Sequence, residues 1–194
     1  IVLITGAGGS IGSQLCRELC PFNPKKIILF DISEPSLYSI HHEFINSKFK
    51  NIEFIPILGN ATDFRLVENV ISQNAVDIIF HAAAYKHVPL VEMNPLQSVN
   101  NNIISTKVLC ECAKKYNVEK LVLISSDKAV RPTSLMGVSK RISELIVQAS
   151  QESFEMKNSS ENRRTIFSMV RFGNVINSSG SVIPLFQKQI KNGG

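Results

Sequence analysis

The chain has 194 residues, of which 44% are hydrophobic and 19% charged, and its formal net charge is +5. These values are globular, and the length suits one domain with a core large enough to fold alone. No apolar run approaches the length of a membrane span, so we expect no membrane contact by this segment. Basic residues are scattered and tryptophan is absent, so the composition disfavours nucleic-acid binding.

Apolar runs that predict buried strands alternate with stretches of helical spacing. The strand-like runs are residues 1–5, 26–30, 52–57, 76–81, 120–125 and 165–171. The helical stretches are residues 14–20, 64–72, 95–116, 139–150 and 182–191, and the polar stretch 151–164 predicts an exposed loop. Near-continuous strands rich in Ile and Val are typical of a parallel sheet covered on both faces. The alternation predicts an α/β, doubly wound parallel sheet.

The first strand is followed at once by a glycine-rich turn and a helical pattern. The turn reads Gly6-Ala7-Gly8-Gly9-Ser10-Ile11-Gly12. Gly6 permits the tight turn, Gly9 lets backbone amides approach a pyrophosphate, and Gly12 lets the helix pack close to the strand. The helix start at Ser10 and Ile11 presents N–H groups to the anion. This order predicts the dinucleotide pocket of a Rossmann-type domain.

An acidic residue indicates which dinucleotide is bound. Asp31 closes the second strand, 19 positions after Gly12, where a carboxylate can accept from both ribose hydroxyls of NAD. The residues Ile32-Ser33-Glu34 that follow supply no arginine for a 2′-phosphate, which Asp31 would also repel. The sequence therefore predicts NAD as the cofactor in preference to NADP.

Other residues with a predicted role follow the later strands, because ligands bind beyond the carboxyl ends of such sheets. Asn60 and Ala61 come after the third strand, where adenine would sit. The small residues after the fourth strand, which let the backbone approach the cofactor, are Ala82, Ala83 and Ala84. The fifth strand leads into Ser125-Ser126-Asp127-Lys128, and the sixth into Arg171-Phe172-Gly173-Asn174-Val175.

The cysteines lie at Cys16, Cys20, Cys110 and Cys112. Their spacing matches neither a zinc ribbon nor a redox CxxC motif, and no nearby histidine completes a metal site, so no metal is expected. We interpret them as buried thiols in a reducing compartment and expect a cytoplasmic location. The chain opens inside a strand, so we expect residues 1–194 to be one domain of a longer protein. A membrane anchor on that parent is left open.

Several longer sequence motifs occur along the rest of the chain. They are His81-Ala82-Ala83-Ala84-Tyr85-Lys86-His87-Val88-Pro89-Leu90, Ser125-Ser126-Asp127-Lys128-Ala129-Val130-Arg131-Pro132-Thr133, Met136-Gly137, Ser139-Lys140-Arg141, and Val170-Arg171-Phe172-Gly173-Asn174-Val175 with Gly180-Ser181-Val182-Ile183-Pro184. Together with the glycine turn, they make the chain resemble the extended short-chain dehydrogenase/reductase superfamily. The resemblance is closest to its CapD-like polysaccharide biosynthesis proteins, the UDP-N-acetylglucosamine 4,6-dehydratase group.

The resemblance implies an enzyme. Such a lyase converts a UDP-sugar to a UDP-4-keto-6-deoxy sugar for surface polysaccharide or glycan biosynthesis, with transient hydride transfer from C4 to NAD. It also implies a UDP-sugar partner and a homo-oligomer. Much of the sugar pocket in such proteins lies in a carboxyl-terminal region that is largely missing from this chain.

The resemblance also assigns roles to residues after the fifth strand. Asp127 would be the acid for the C6 hydroxyl and Lys128 the base for the C5 proton. Lys128 would then have to lose its own proton, which burial and the nearby cation Lys140 would favour. Ser126 would hydrogen-bond near the C4 oxygen, and Lys140 would bind the nicotinamide ribose.

One position departs from the superfamily pattern. Its dehydrogenases usually carry Tyr-x-x-x-Lys, but Met136 stands four positions before Lys140, and a thioether cannot exchange a proton. The Ser-Met-Lys set resembles a membrane-anchored branch of the dehydratases. Which group deprotonates the C4 hydroxyl stays open, and Asp127, acting directly or through water, is one option.

Three further residues have expected roles. Lys86 would approach a cofactor or substrate phosphate, Asn102 would fix the backbone near the nicotinamide, and Asn174 would contact the substrate diphosphate. Two other functions stay open. A UDP-sugar 4-epimerase shares the scaffold and the first hydride step but needs no acid/base pair at C5 and C6. A non-catalytic NAD-binding regulator would explain the missing tyrosine.

Overall fold

The structure is a computed structural model that describes residues 1–157, 165–175, 186 and 189–193. Six strands are found within these residues: β1 (Val2–Thr5), β2 (Lys26–Asp31), β3 (Glu53–Leu58), β4 (Ile78–His81), β5 (Lys120–Ser126) and β6 (Ile166–Phe172). They form one parallel sheet in the order β3-β2-β1-β4-β5-β6. The predicted doubly wound, Rossmann-type α/β fold is confirmed.

Helices connect the strands. They are α1 (Ser10–Leu19), α2 (Glu34–Ile45), α3 (Phe64–Asn74), α4 (Val88–Met93), α5 (Pro95–Ser98), α6 (Ser105–Lys115) and α7 (Leu135–Lys157). Short 3₁₀ turns cover Cys20–Phe22 and Asp127–Ala129, and a π-helix, Val99–Ile104, joins α5 to α6.

The strand register determines where a ligand can bind. β1 pairs with β2 on one side and with β4 on the other, so the order of connections reverses between β1 and β4. Thr5 and His81 are partners in that register, so the glycine turn after β1 lies beside the alanines after β4. Reversal points of this kind leave a crevice at the carboxyl ends of the strands.

Both faces of the sheet are covered by apolar packing. Leu3 belongs to one buried cluster, with Leu109 and Leu121, whereas Val2 and Ile4 belong to a second cluster. Alternate side chains of a strand point to opposite faces, so the apolar residues of β1 serve both clusters. Each buried Leu or Ile side chain contributes about 1.5–3 kcal/mol relative to an exposed one.

Several helices differ from the predicted ones. The helix predicted at 139–150 begins at Leu135 and runs to Lys157, so residues 151–157 are helical and do not form the expected loop. The helix predicted at 95–116 is interrupted by the π-helix, and the helices α2 and α4 were not predicted. Residues 158–164 and 180–184 lie outside the described part of the chain. Of the predicted helix 182–191, only residues 186 and 189–191 are described, and they are helical.

Candidate active site

A cleft of about 710 Å³ opens beyond the carboxyl ends of β1, β2 and β4. Its size is within the range of small-molecule and cofactor sites. It is lined by all of the predicted cofactor residues except Asn102 and Lys140, namely Gly6, Gly9, Ser10, Ile11, Gly12, Asp31, Asn60, Ala61, Ala82, Ala83, Ala84 and Lys86. The other predicted catalytic residues, Ser126, Asp127, Lys128 and Met136, do not line this cleft.

The glycine turn has no room for a side chain at Gly6, Gly8 or Gly12. Gly6 has φ +69°, and a Cβ there would lie 2.7 Å from the backbone nitrogen of Ala83. A Cβ on Gly12 would lie 2.0 Å from the carbonyl oxygen of Gly6. The first helical bond of α1 runs from Ser13 N–H to the Gly9 oxygen, so the N–H of Ile11 precedes the ladder. The turn therefore forms a narrow backbone cradle that fits a pyrophosphate.

Asp31 ties this cradle to the start of α2. Its Oδ2 accepts from Gly8 N–H and its Oδ1 from Ser33 N–H, both at 2.8 Å. The side chain is nearly buried yet lines the cleft, and each carboxylate oxygen can accept a further bond. A fixed negative charge at this place suits ribose hydroxyls and opposes a 2′-phosphate.

A buried polar network lies below the cleft. His81 Nδ1 accepts from Thr5 Oγ1 at 2.7 Å, and Nε2 lies 3.1 Å from Thr106 Oγ1, which donates to the Asn102 carbonyl. These partners assign the proton of the neutral ring to Nε2. Burial, and then the charge of Lys140, lower the pKa of His81 to about 3, so the ring stays neutral. This geometry supports a packing role.

Asn102 connects the cleft wall with α7. Its Oδ1 accepts from Tyr85 N–H at 2.8 Å, and its Nδ2 donates to the Tyr85 carbonyl at 3.1 Å and to Ser139 Oγ at 2.9 Å. The residue is buried in the π-helix, a feature that often occurs at functional sites. Asn102 therefore holds the backbone after Ala84 against the turn of α7 that carries Lys140.

The segment after β5 brings Asp127 and Lys128 together. Ser126 Oγ donates to Asp127 Oδ1 at 2.9 Å, and Lys128 Nζ donates to the same oxygen at 3.2 Å and to Asn174 Oδ1 at 3.1 Å. The hydrogen bonds from Ser126 and then Lys128 lower the pKa of Asp127. The burial expected for Lys128 is not found, since its side chain is 41% exposed and that of Asp127 58%.

Lys140 lies buried beneath this segment. Its Nζ donates to the carbonyl oxygen of Ile124, in β5, at 3.0 Å. Burial lowers the pKa of Lys140 to about 8, and the charge of Glu144 opposes that shift. The ammonium form therefore still dominates at neutral pH.

The position of the missing tyrosine is also buried. Met136 is 3% exposed, and its carbonyl accepts from Ser139 Oγ at 2.8 Å. The next residue, Gly137, lies so close to the segment after β5 that a Cβ would be 2.4 Å from the Lys128 carbonyl oxygen. The first turn of α7 therefore packs directly on the backbone of Lys128.

One charged group was missed by sequence reasoning. Glu144 is fully buried, and it accepts hydrogen bonds from Ser125, Arg171 and Arg141. Burial alone would raise its pKa, but these bonds and the charge of Arg171 outweigh burial and lower the pKa to about 2. An available signal was the spacing of Glu144, one helical turn after Lys140.

The buried ammonium of Lys140 gives a testable pH dependence. We expect Lys140→Met to raise the free energy of unfolding at pH 7 by about 3 kcal/mol, because a pKa lowered from 10.5 to about 8 penalises the charged folded form. The wild type binds fewer protons folded than unfolded between these values, so its stability rises with pH there and the gain shrinks. Urea unfolding of both proteins at pH 7 and pH 9.5 measures this, and a gain independent of pH contradicts it.

Two other features are absent from the part of the chain that the structure describes. No group of three or more His, Cys, Asp or Glu side chains is arranged to hold a metal ion. No helix there combines the length and apolar character needed to cross a membrane.

Comparison with known proteins identifies one family and several similar proteins. A family model described as polysaccharide biosynthesis protein matches residues 2–194. The capsular polysaccharide biosynthesis protein CapD of Staphylococcus aureus is 46% identical over 100% of this chain and 31% of its own length. A UDP-N-acetylglucosamine 4,6-dehydratase (inverting) of Campylobacter jejuni is 32% identical, and a UDP-glucose 4-epimerase of Rickettsia canadensis 33%. Each match covers 99% of this chain and 54% of the relative.

Solved structures show the same fold. Pen from Bacillus thuringiensis superposes with a TM-score of 0.86 at 34% identity, over 99% of this chain and 57% of that one. A dTDP-glucose 4,6-dehydratase from Streptomyces venezuelae, solved with NAD bound, has a TM-score of 0.78 at 21% identity, over 100% and 63%. The chain thus spans between about a third and somewhat over half of the length of these relatives.

Proposed function

Because the chain belongs to the polysaccharide biosynthesis protein family, we propose that it is the NAD-binding and catalytic part of a nucleotide-sugar 4,6-dehydratase. The proposed substrate is UDP-N-acetylglucosamine, and the product is a UDP-4-keto-6-deoxy sugar for surface polysaccharide or glycan synthesis. The names of the Staphylococcus aureus and Campylobacter jejuni relatives support this choice.

The cleft fits NAD. The backbone cradle at Gly6 and Gly12 would receive the pyrophosphate, and Asp31 would receive the adenosine ribose. Lys86, which lines the same cleft, would approach a phosphate. The chemistry that bound NAD supplies is the reversible uptake of a hydrogen together with its electron pair.

The observation that carries the dehydratase proposal is the contact between Asp127 and Lys128. A ketone at C4 makes the C5 proton acidic, so dehydration needs a base at C5 and an acid at the C6 hydroxyl. Lys128 would remove the C5 proton, and Asp127 would protonate the leaving hydroxyl. Their mutual distance of 3.2 Å allows both side chains to reach neighbouring carbons of one hexose.

The hydrogen bonds of Asp127 and Lys128 favour one position of the proton that they share, and the proposed roles require the other. Asp127 accepts from Ser126 and Lys128, which favours its carboxylate form. The roles proposed above require the proton on Asp127 and an uncharged amine on Lys128. Both arrangements hold the same number of protons, so only the position of one proton differs. A sugar that displaces Lys128 from Asp127 would favour the reactive arrangement.

Three other residues would support the reaction. Ser126 would hydrogen-bond near the C4 oxygen, and Asn174 would contact the substrate diphosphate while it holds Lys128. Lys140 would hold the nicotinamide ribose, and its buried positive charge would stabilise negative charge that develops nearby.

Two other functions remain to be separated from this one. The Rickettsia relative is named as a 4-epimerase, but epimerisation needs no acid/base pair at C5 and C6. A non-catalytic NAD-binding regulator is disfavoured because Lys140 and the pair of Asp127 and Lys128 are retained. We also place the domain in the cytoplasm, on the ground that its cysteines are free thiols, and we expect a homo-oligomer.

Product analysis tests the proposal. The full-length protein is incubated with NAD and UDP-N-acetylglucosamine, and the sugar is identified by NMR. A 4-keto-6-deoxy sugar is the expected result. A C4 epimer would support the epimerase, and NAD binding without turnover would support the regulator.

The proposal also predicts the behaviour of the position where the superfamily has tyrosine. We expect Met136→Leu in the full-length protein to keep kcat within about threefold, because the buried side chain fills space and the volume changes little. The rate of 4-keto product formation measures this. A loss comparable to that of an acid/base variant would show that the thioether itself takes part.

A further inference from the structure

Glu144 joins three elements of the fold through one buried carboxylate. Its Oε1 accepts from Ser125 Oγ and from Arg171 Nε, both at 2.7 Å, and its Oε2 accepts from Arg171 Nη2 at 2.6 Å. Glu144 lies on α7, Ser125 near the end of β5 and Arg171 near the end of β6. The bidentate geometry fixes both the distance and the orientation of the two side chains.

Each of these elements also carries part of the proposed active site. Asp127 and Lys128 follow Ser125 directly, and Asn174 stands three positions after Arg171. The contact from Lys128 Nζ to Asn174 Oδ1 links the segment after β5 to the segment after β6.

The helix α7 also carries part of the proposed active site. Lys140 precedes Glu144 by one helical turn, and its Nζ reaches the Ile124 carbonyl in β5. A shift of α7 relative to β5 would therefore move Lys140, and a shift of β6 would move Asn174 away from Lys128.

We propose that Glu144, Arg171 and Ser125 form a clamp that positions Lys128 and Lys140 for catalysis. The clamp acts through Lys128 and Lys140 and takes no part in proton transfer. The inference rests on the proposed function, because that function gives Lys128 and Lys140 their roles. Positional errors of about 1 Å in a catalytic group cost about 100-fold in rate.

Arg141 provides a matched control. It donates one hydrogen bond to Glu144 Oε2 at 3.0 Å, but it lies on the same helix, three positions earlier. It joins no second element to α7 through this bond. Its loss removes a positive charge beside the same carboxylate without releasing a strand.

The experiment compares Arg171→Lys, Glu144→Gln and Arg141→Gln in the full-length protein. Each is measured for kcat of product formation, Kd for NAD by calorimetry, and thermal midpoint. Arg171→Lys should lower kcat by about 10- to 100-fold and leave the Kd for NAD within about twofold, because it releases β6 but not Lys140. Glu144→Gln should lower kcat and also weaken NAD binding by about tenfold, because it releases both β6 and Lys140. Arg141→Gln should change neither by more than about twofold.

A double variant separates positioning from general destabilisation. If Arg171 acts through the contact of Asn174 with Lys128, Arg171→Lys combined with Asn174→Ala should be no slower than the worse single variant. If the two single-variant losses of kcat multiplied in the double variant, the clamp would be overturned. A wild-type kcat in Arg171→Lys would also overturn it. Equal losses of kcat, NAD affinity and thermal midpoint in Arg171→Lys and Arg141→Gln would also overturn it. Should Arg171→Lys fail to fold, Ser125→Ala takes its place. It frees α7 from β5 and should both lower kcat and weaken NAD binding, because Lys140 lies on α7, and unchanged values of both would overturn the clamp.

The proposed function can fail without the clamp failing. A wild type that makes no 4-keto sugar refutes the function alone. The clamp is then judged on NAD binding, where Glu144→Gln must be weakened by about tenfold relative to Arg141→Gln. Equal NAD affinities in these two variants would overturn the clamp.

Discussion

Replacing Asp127 by asparagine in the full-length protein is expected to lower kcat for 4-keto-6-deoxy sugar formation by about 10²- to 10⁴-fold. The amide keeps the shape of the carboxyl group and can still accept from Ser126 and Lys128, but it cannot donate a proton to the C6 hydroxyl. Substrate affinity should change much less, because the loss is in the transition state. Steady-state kinetics with product detection by NMR measure both quantities.

Lys128→Met should have a loss of the same order, since it removes the base at C5. A matched control is Glu53→Gln, which removes another exposed carboxylate that is paired with a lysine, Lys26, at the amino end of the sheet. This control should keep the wild-type rate, because ligands of such sheets bind at the opposite, carboxyl ends of the strands. If Asp127→Asn and Lys128→Met both retained the wild-type kcat, the proposed acid/base pair would be wrong.

The second large effect is expected in the glycine turn. Gly12→Ala should lower the free energy of unfolding by about 3 kcal/mol, because the new Cβ would lie 2.0 Å from the Gly6 carbonyl oxygen and α1 would have to move off β1. For a chain of this length the thermal midpoint should fall by about 6–12 °C. Calorimetry of the 194-residue chain measures the shift.

Gly9→Ala is the contrasting variant in the same turn. Its Cβ would lie 3.2 Å from the Gly6 oxygen, and Gly9 has φ −73°, so alanine fits with a cost of about 1 kcal/mol or less. NAD binding should nevertheless weaken by about tenfold or more, because a methyl group there would hinder the approach of the turn to a bound pyrophosphate. Equal thermal midpoints in Gly9→Ala and Gly12→Ala would contradict the packing argument.

The fold could be predicted because its main signals are local. Apolar strands such as residues 26–30 are short and continuous. A glycine-rich turn between a strand and a helix predicts a dinucleotide pocket. The helix α2 was not predicted, although its buried residues Leu37, Ile40 and Phe44 recur at helical spacing. Its N-cap, Ser33, was the clearer signal.

The helix interruption and the clamp could not be derived in the same way. A π-helix at Val99–Ile104 shifts the backbone bonds without removing helical spacing from the sequence. Glu144 and Arg171 are 27 positions apart, so their bidentate contact depends on the packing of α7 against β6. The cofactor cleft follows from strand ends, but a tertiary ion pair has no sequence period.

The most direct test of the account is the reaction of the full-length protein with UDP-N-acetylglucosamine in deuterium oxide. Removal of the C5 proton by Lys128 and its replacement from solvent predict a 4-keto-6-deoxy product that carries deuterium at C5. NMR of the isolated sugar detects that label. Product without deuterium at C5, or a C4 epimer in its place, would contradict the proposed role of Asp127 and Lys128.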